Sequence, residues 1–227
     1  MSPEAGRAFI RANTALATPS MVPEIRLHLA SEITPIWRAT EASLQQQGVD
    51  PPYWAFAWPG GQALARYILD HAGRFAGATV ADFASGSGLA AIAAARAGAA
   101  LVIAGDIDPL ACQAIALNAA ANDVALSIDD ADWLGSSVAN KWAEAEARAL
   151  PHYVLAGDVC YEKPMAERAL AWLRGQARSG AIVLLGDPGR HYLPRQGLRE
   201  VARYDIPTSL QLENRGMKET VLWQVAA

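Results

Sequence analysis

The chain has 227 residues, of which 52% are hydrophobic and 19% are charged, and its formal net charge is −4. This length suits one α/β domain with added segments, and the interspersed acidic and basic residues argue against a nucleic-acid partner. No apolar run approaches the roughly 20 residues that span a bilayer, so no membrane partner is expected. The two cysteines, Cys112 and Cys160, have neither metal-ligand spacing nor the pattern of a disulfide framework, so no bound metal is expected.

The first residues have an irregular pattern that predicts an N-terminal helical extension. Helix-compatible pieces at Glu4–Asn13 and Glu24–Gln47 flank a proline-containing link at residues 18–23. We therefore divide the chain into an extension, residues 1–52, and one α/β domain, residues 53–227.

The segment at the boundary, residues 50–61, combines four aromatic residues with three prolines and two glycines, and an amphipathic helix is predicted near Gln62–His71. From Thr79 onward, apolar strand-like and helix-like segments alternate, which predicts a doubly wound, mainly parallel sheet of seven strands. The Ala/Glu-rich residues 141–150 are predicted to form a surface helix. The strands are expected near Thr79–Phe83, Ala100–Gly105, Ala125–Ile128, His152–Ala156, Ala181–Leu185, Arg203–Pro207 and Thr220–Val225.

The segment Val80–Gly88 joins an apolar strand to a turn of small residues, and a helix-like run comes directly after it. The next apolar run, Leu101–Gly105, ends in Asp106, whose carboxylate can accept hydrogen bonds from both hydroxyls of a ribose. Together these segments indicate a βαβ unit with a nucleotide-type cofactor loop. The glycines alone are weak signals, because they can simply tighten the turn and because Ala84 stands where a dinucleotide loop has its first glycine.

The residues after Asp106 make this layout similar to that of S-adenosyl-L-methionine (AdoMet) methyltransferases. Asp108 and Pro109 open a helix that carries Asn118 and Asn122, and an Asp-Trp pair stands after the next predicted strand. We interpret Asp108 as the N-cap of its helix. Cofactor contacts are predicted for Trp58, Asp82, Ala84, Ser85, Gly86, Gly88, Asp106, Ile107, Asp132 and Trp133.

Each part of AdoMet has a candidate partner in this set. Asp82 can anchor the ammonium group, the amides of Ser85–Gly88 can approach the carboxylate, and Asp106 can clamp the ribose. Asp132 stands where the adenine amino group would bind, and Trp133 could stack on the ring. Two plainer interpretations remain open: that Asp82 serves only to cap a helix, and that the Asp-Trp pair is an ordinary turn and core residue.

The loop after the fourth predicted strand, Gly157–Tyr161, is the candidate acceptor site. Methylation of an amine requires a neutral nitrogen in line with the methyl–sulfur bond, and the Asp158 carboxylate and Tyr161 phenol can hold and orient that nitrogen. We therefore predict that Asp158 and Tyr161 are catalytic, with a core aromatic as the alternative for Tyr161. Cys160 is not expected to act as a nucleophile, because direct transfer needs no covalent intermediate.

The tetrapeptide Asp50–Tyr53 matches a motif of enzymes that methylate amino groups of DNA bases. In those enzymes the motif comes after the fourth strand, or several strands separate it from the glycine loop, whereas here a single predicted helix lies between them. The aromatic residues of Tyr53–Trp58 are therefore expected to cover the cofactor or to pack the extension against the domain.

With Asp158 and Tyr161 the chain supplies an Asp-x-x-Tyr motif, and it resembles the seven-strand (class I) lysine methyltransferases that carry this motif after the fourth strand. Within that group it is similar to the electron transfer flavoprotein β-subunit lysine methyltransferase family. The similarity extends over nearly the whole chain, although Phe83 and Ala84 depart from the more usual Leu and Gly. Its most specific stretches are Phe9–Thr14, Pro23–Leu29 and Pro52–Gly61, with Gly186–Arg190 after the fifth strand.

The resemblance implies a Rossmann-like fold and AdoMet-dependent methylation of lysines on the flavoprotein β subunit, with S-adenosyl-L-homocysteine as product. We expect a monomer in the bacterial cytoplasm, or in the mitochondrial matrix if the source is eukaryotic. Three alternatives remain: methylation of a ribosomal protein, methylation of a small amine such as nicotinamide, and a non-catalytic AdoMet-binding partner protein. The last would not need Asp158.

Overall fold

The computed structural model describes residues 2–31, 34, 36, 51–135, 152–208 and 216–227. The surface helix predicted at residues 141–150, Asp50, and most of the second helix predicted in the extension lie outside these residues.

The N-terminal extension contains one helix and a two-stranded sheet. Helix α1, Pro3–Asn13, begins after Ser2, whose hydroxyl accepts the amide of Ala5, which confirms the first predicted helix. Strands β1, Ala15–Ala17, and β2, Leu27–Leu29, then pair in antiparallel fashion. The prediction that a helix begins at Glu24 is therefore wrong for the described residues.

The reason for this error is visible in the burial of the segment. Ile25 and Leu27 are fully buried, whereas Arg26 between them is exposed. The segment therefore has the two-residue alternation of a strand. Two asparagines outside the segment fix this conformation. Asn122 accepts the amide of Arg26 at 2.9 Å, and Asn118 accepts the amide of His28 at 2.7 Å.

The domain is built on a seven-stranded sheet, which confirms the predicted α/β class and the seven predicted strands, although the strand predicted at Arg203–Pro207 begins five residues earlier, at Leu198. The strands are β3, Thr79–Phe83; β4, Leu101–Gly105; β5, Ser127–Asp129; β6, His152–Gly157; β7, Ile182–Asp187; β8, Leu198–Pro207; and β9, Met217–Val225. Their order in the sheet is β5-β4-β3-β6-β7-β9-β8, and β9 runs antiparallel to its neighbours β7 and β8.

Helices cover both faces of this sheet. They are α2, Pro59–Asp70; α3, Ala72–Phe75; α4, Leu89–Arg96; α5, Pro109–Ala121; and α6, Lys163–Arg178, with a short 3-10 helix at Tyr53–Ala55 before α2. Alternate residues of β3 belong to different apolar clusters: Val80 packs with α2 and α4 on one face, and Ala81 packs with α6 on the other. No helix in the described part of the chain is both long enough and apolar enough to cross a membrane.

The first turn of α2 lies directly against the carboxyl ends of β6 and β7. A Cβ atom on Gly60 would stand 2.2 Å from the carbonyl oxygen of Gly186, and one on Gly186 would stand 2.3 Å from that of Gly60. A Cβ atom on Gly157 would stand 2.9 Å from the amide nitrogen of Gly61. We call Gly60, Gly157 and Gly186 the three-glycine junction, because their lack of side chains allows this approach.

Candidate active site

The loop between β3 and α4 has three residues in the left-handed region of backbone conformation. Ala84, Gly86 and Gly88 have φ values of 51°, 55° and 79°. Glycine adopts this region freely, but an alanine there is strained by about 1 kcal/mol or more. The strain explains why a glycine is usual at the position of Ala84. The Ser85 amide donates to the Gly105 carbonyl at 3.0 Å and ties the loop to β4.

Asp82, near the end of β3, is a buried carboxylate with only 3% of its surface exposed. Its Oδ2 atom accepts the hydroxyl of Ser85 and, at 3.1 Å, the amide of Ala91 in the first turn of α4. The carboxylate therefore caps the helix, as the plainer interpretation proposed. Its Oδ1 atom has no hydrogen-bond partner among the described residues. Burial raises the pKa of Asp82 to about 7.

Asp106 lies just after β4 and faces the same loop. Its Oδ2 atom accepts the amide of Gly86 at 2.8 Å, and its Oδ1 atom accepts the amide of Asp108 at 3.0 Å. Asp108 in turn accepts the amide of Leu110 at 2.8 Å, with Pro109 at the start of α5, which confirms its predicted role as the N-cap. The side chain of Ile107 is exposed beside them. Burial raises the pKa of the Asp106 carboxyl.

Asp132 and Trp133, which follow β5, lie in different environments. Trp133 is buried, lies against the backbone of Gly105, and donates from its indole nitrogen to Asp129 at 2.9 Å. Asp132 is exposed and forms an ion pair with Arg168 at 3.2 Å. A small cavity of about 90 Å³ lies between these residues and Asp106. It is the candidate adenine slot, although the contacts of Trp133 are those of a core residue.

Asp158 lies just after β6 and is buried next to the three-glycine junction. Its Oδ2 atom accepts the amide of Gly60 at 2.6 Å, and its Oδ1 atom accepts hydrogen bonds from Nε and Nη2 of Arg190 at 3.2 and 2.7 Å. Asp158 has a φ of 58°, a strained conformation for a non-glycine residue. Burial raises its pKa to about 6, although Arg190 and the Gly60 amide act in the opposite direction.

Aromatic side chains lie on the loop of Asp158 and next to its partner Arg190. The rings of Tyr53 and Tyr161 lie 5.4 Å apart, and the ring of Trp58 lies 6.2 Å from that of Tyr53. The guanidinium carbon of Arg190 stands 5.6 Å from the centre of the Trp58 ring. Tyr53 and Tyr161 are both exposed. We call Tyr53, Phe56, Trp58 and Tyr161 the aromatic rim, because Phe56 also packs against Trp58 at 5.6 Å.

Two groups in this region are held in their protonated forms. Partial burial of the phenol, with the nearby Tyr53, Glu162 and Asp106, raises the pKa of Tyr161 to about 12, so the phenol is protonated at neutral pH. Burial, with the nearby Asp187 and Asp158 carboxylates, raises the pKa of the Cys160 thiol to about 12. A thiolate is needed for nucleophilic attack, so this pKa supports the prediction that Cys160 is not a nucleophile.

Two further observations add no residue to the site at the carboxyl edge of the sheet. A larger cavity of about 420 Å³ lies at the amino ends of β6 and β7, away from the residues above, and is lined by side chains that include Arg74, Tyr153 and Arg199. Among the residues that the structure describes, no group of three or more His, Cys, Asp or Glu side chains is arranged to hold a metal ion.

Several known proteins match nearly all of this chain. The electron transfer flavoprotein beta subunit lysine methyltransferase of Xenopus laevis is 36% identical over 223 residues, which cover 96% of this chain and 85% of the relative. The protein of the same name from Homo sapiens is 34% identical over 227 residues, with 96% and 80% covered. This chain belongs to the electron transfer flavoprotein beta subunit lysine methyltransferase family. It is a protein-lysine methyltransferase.

A second group of proteins shares part of the chain or the fold. The family described as ribosomal protein L11 methyltransferase (PrmA) matches residues 63–143. A crystallised ribosomal protein L11 methylase from Lactobacillus delbrueckii subsp. bulgaricus has a TM-score of 0.52 at 18% identity, and covers 93% of this chain and 100% of its own. The structure of SMU.776 complexed with SAH has a TM-score of 0.50 at 13% identity, and covers 74% of this chain and 50% of its own. At these identities the likeness shows the fold alone.

The structure brings the predicted site residues of this lysine methyltransferase to one edge of the sheet. Asp82, Asp106 and Asp158 lie at the carboxyl ends of the neighbouring strands β3, β4 and β6, and Tyr161 lies on the same loop as Asp158. Trp58 contacts Arg190 at the acceptor side of this edge. The roles of these residues toward cofactor and substrate stay predictions.

Three residues of the site were missed by sequence reasoning. Gly60 and Arg190 hold the Asp158 carboxylate, and Asp129 holds the indole of Trp133. Asp129 ends β5 much as Asp106 stands at the end of β4, so its position at a strand end was a usable signal. Arg190 also comes after a strand, whereas nothing local marks Gly60, which reaches the site through the packing of α2.

Proposed function

We propose that this enzyme transfers methyl groups from AdoMet to lysine side chains on the β subunit of the electron transfer flavoprotein. The names of its relatives support this substrate, because the similarity includes the extension and the Asp158 loop as well as the cofactor loop. The observation that carries the proposal is the buried Asp158 carboxylate at the carboxyl edge of the sheet, whose partner Arg190 contacts the aromatic rim and whose loop carries the exposed Tyr161.

The residues around the glycine loop fit AdoMet. Asp82 has a carboxylate oxygen without a partner among the described residues, which suits the ammonium group, and the amides at the start of α4 suit the carboxylate. Both oxygens of Asp106 accept backbone amides, and a carboxylate has acceptor capacity beyond these that suits ribose hydroxyls. AdoMet supplies an electrophilic methyl group on its sulfonium.

On the acceptor side, Asp158 and Tyr161 orient the substrate amine. With its pKa of about 6, Asp158 is ionised at neutral pH and can accept a hydrogen bond from the amine. The protonated phenol of Tyr161 and the other rings of the aromatic rim can pack against the aliphatic part of a lysine side chain. Since a free lysine has a pKa of about 10.4, the substrate must lose a proton before attack, and the rate is expected to rise from neutral to mildly alkaline pH.

A ribosomal protein is the second candidate substrate, because the ribosomal protein L11 methyltransferase family matches residues 63–143. That range contains the glycine loop and Asp106 but neither Asp158 nor the N-terminal extension. The match therefore supports AdoMet as the cofactor more directly than it supports a ribosomal protein as the methyl acceptor. The extension, the aromatic rim and the loop at Gly186–Arg190 are additions that a small-amine enzyme would not need, and they favour a folded protein substrate.

The test is methyl transfer from labelled AdoMet to three acceptors side by side: recombinant flavoprotein β subunit, ribosomal protein L11 and nicotinamide. We expect rapid labelling of the β subunit and negligible labelling of the others. A β subunit with its lysines replaced by arginine is the substrate control, and Asp158→Asn is the enzyme control. Equal labelling of the lysine-free subunit, or faster methylation of nicotinamide or L11, would refute the substrate assignment.

A further inference from the structure

Arg190 is the cationic partner of the proposed acceptor site. Its Nη2 atom lies 2.7 Å from Oδ1 of Asp158, and the exposed fractions of the two side chains are 18% and 9%. Because the pair is shielded from water, each charge acts strongly on the other. The carboxylate on which the site depends is therefore half of an ion pair.

The position of Arg190 is fixed from both ends. Asp187, which ends β7, accepts the amides of Gly189 and Arg190 at 2.7 Å each and so closes the turn that carries the arginine. At its other end the guanidinium lies over the ring of Trp58. An arginine held in this way loses little further conformational entropy when it pairs with a carboxylate.

Several other groups face this pair. Burial and the Asp187 carboxylate raise the pKa of Asp158, while Arg190 and the Gly60 amide lower it. Lys218 of β9 acts on Asp187, and the Cys160 thiol and the Tyr161 phenol lie on the loop of Asp158 itself. Glu162 and Asp106 act on Tyr161 from further away. Arg190 is the cation that bears directly on Asp158 in this set, so its removal leaves Asp158 among other carboxylates.

Resting on the proposed function, we infer that Arg190 is a positioning residue that keeps Asp158 ionised while cancelling the field that would hold the substrate lysine as an ammonium ion. An unpaired carboxylate beside the amine would stabilise the charged form, which has no lone pair for attack. Paired with Arg190, the carboxylate still accepts a hydrogen bond from the neutral amine. The proton released by the ammonium passes to solvent.

The test compares two variants, Arg190→Gln and Arg190→Lys, by the pH dependence of kcat/KM for the β subunit. Glutamine removes the charge, so the acidic limb of the profile should move to higher pH by about one unit or more, and activity should recover at alkaline pH. Lysine keeps the charge but loses the two-point contact, so its rate should fall while the limb stays in place. A fall by the same factor at every pH in the glutamine variant would show a merely structural role and overturn the inference.

A second measurement needs no substrate and separates this inference from the proposed function. The carboxyl carbon of Asp158 is titrated by NMR in the wild type and both variants, with thermal unfolding to verify that each is folded. The Asp158 midpoint should rise in Arg190→Gln and stay near the wild type in Arg190→Lys. If the wild type does not methylate the β subunit, the proposed function fails, and an unchanged midpoint in the glutamine variant still overturns the role of Arg190. Arg190→Met, which also removes the charge, replaces the glutamine variant if that one does not fold.

Discussion

At the scale of single residues, Asp106 both holds the backbone and leaves acceptor sites for a ligand. It joins the glycine loop to the start of α5 by accepting the amides of Gly86 and Asp108. Asp108, two residues later, also accepts a backbone amide and caps a helix. The two aspartates have similar local chemistry and different proposed roles, so they form a matched pair.

We predict that Asp106→Ala removes most of the thermal stabilisation that AdoMet gives to the protein, because the ribose loses its carboxylate. A ligand at 100 times its Kd adds about 2.7 kcal/mol to the free energy of unfolding. Asp108→Ala should lower the stability without ligand by about 1 kcal/mol through loss of the cap, yet keep the full increment from AdoMet. Thermal unfolding with and without AdoMet measures both.

The same experiment tests the identity of the cofactor. Equal increments in Asp106→Ala and Asp108→Ala would contradict the role of Asp106. A larger stabilisation of the wild type by a nicotinamide dinucleotide than by AdoMet would contradict the cofactor assignment.

At the scale of elements, the three-glycine junction determines where α2 sits on the sheet. The Gly60 amide donates to Asp158 from the first turn of that helix, so the helix position and the carboxylate position depend on each other. Gly61, the next residue, has open space where a Cβ atom would stand.

We predict that Gly60→Ala destabilises the protein by about 3 kcal/mol, because its Cβ atom would overlap the Gly186 carbonyl oxygen. It should also impair methyl transfer, since the donor to Asp158 moves. Gly61→Ala should instead be neutral or stabilise the helix by up to about 1 kcal/mol. Urea unfolding of both variants is the measurement, and similar losses in the two would show that the junction is not tightly packed.

The strands were predictable from sequence because their apolar runs are local signals. Val80 and Ala81 face opposite sides of the sheet, and Gly or Asp marks the end of several strands. The segment after Glu24 was not predictable in the same way, since its strand depends on Asn118 and Asn122, which lie about ninety residues away. Hydrogen bonds to side chains so distant in sequence leave no pattern in the residues of the strand itself.

The site residues also divide into those with a local sequence signal and those without one. Asp82, Asp106 and Asp158 were predicted because each stands at the end of an apolar run. Gly60 and Arg190 were missed because their contacts with Asp158 are created by packing between elements far apart in sequence. Sequence reasoning found the carboxylates and missed the groups that fix their charge and orientation.

At the scale of the whole molecule, buried carboxyl groups make stability depend on pH. Burial raises the pKa of Asp82 to about 7 and that of Asp158 to about 6, and it raises those of Asp106 and Asp187 as well. A group whose pKa is higher in the folded than in the unfolded state stabilises the fold while it is protonated in both states. That contribution is lost as the pH rises through the folded pKa.

We therefore predict that the free energy of unfolding without ligand falls as the pH rises from about 4.5 to about 7, by about 1.4 kcal/mol for each unit of pKa difference that is titrated. The ion-paired Glu24 has a lowered pKa and acts in the opposite direction, but below this window. Urea unfolding at several pH values is the measurement. Asp82→Asn should flatten the curve, and a stability that rises with pH, or an unchanged slope in this variant, would contradict the prediction.

The contact between Gly60 and Asp158 joins residues 98 positions apart, and this separation bears on how the enzyme is made. The ribosome completes α2 long before Asp158 or Arg190 has been synthesised. The first turn of that helix therefore has no carboxylate to hold it until β6 and β7 have emerged. The glycine loop and Asp106 come earlier, so during synthesis the residues proposed to bind the cofactor precede those proposed to receive the lysine. A chain released before β6 and β7 are synthesised would carry the proposed cofactor residues and lack the proposed acceptor residues.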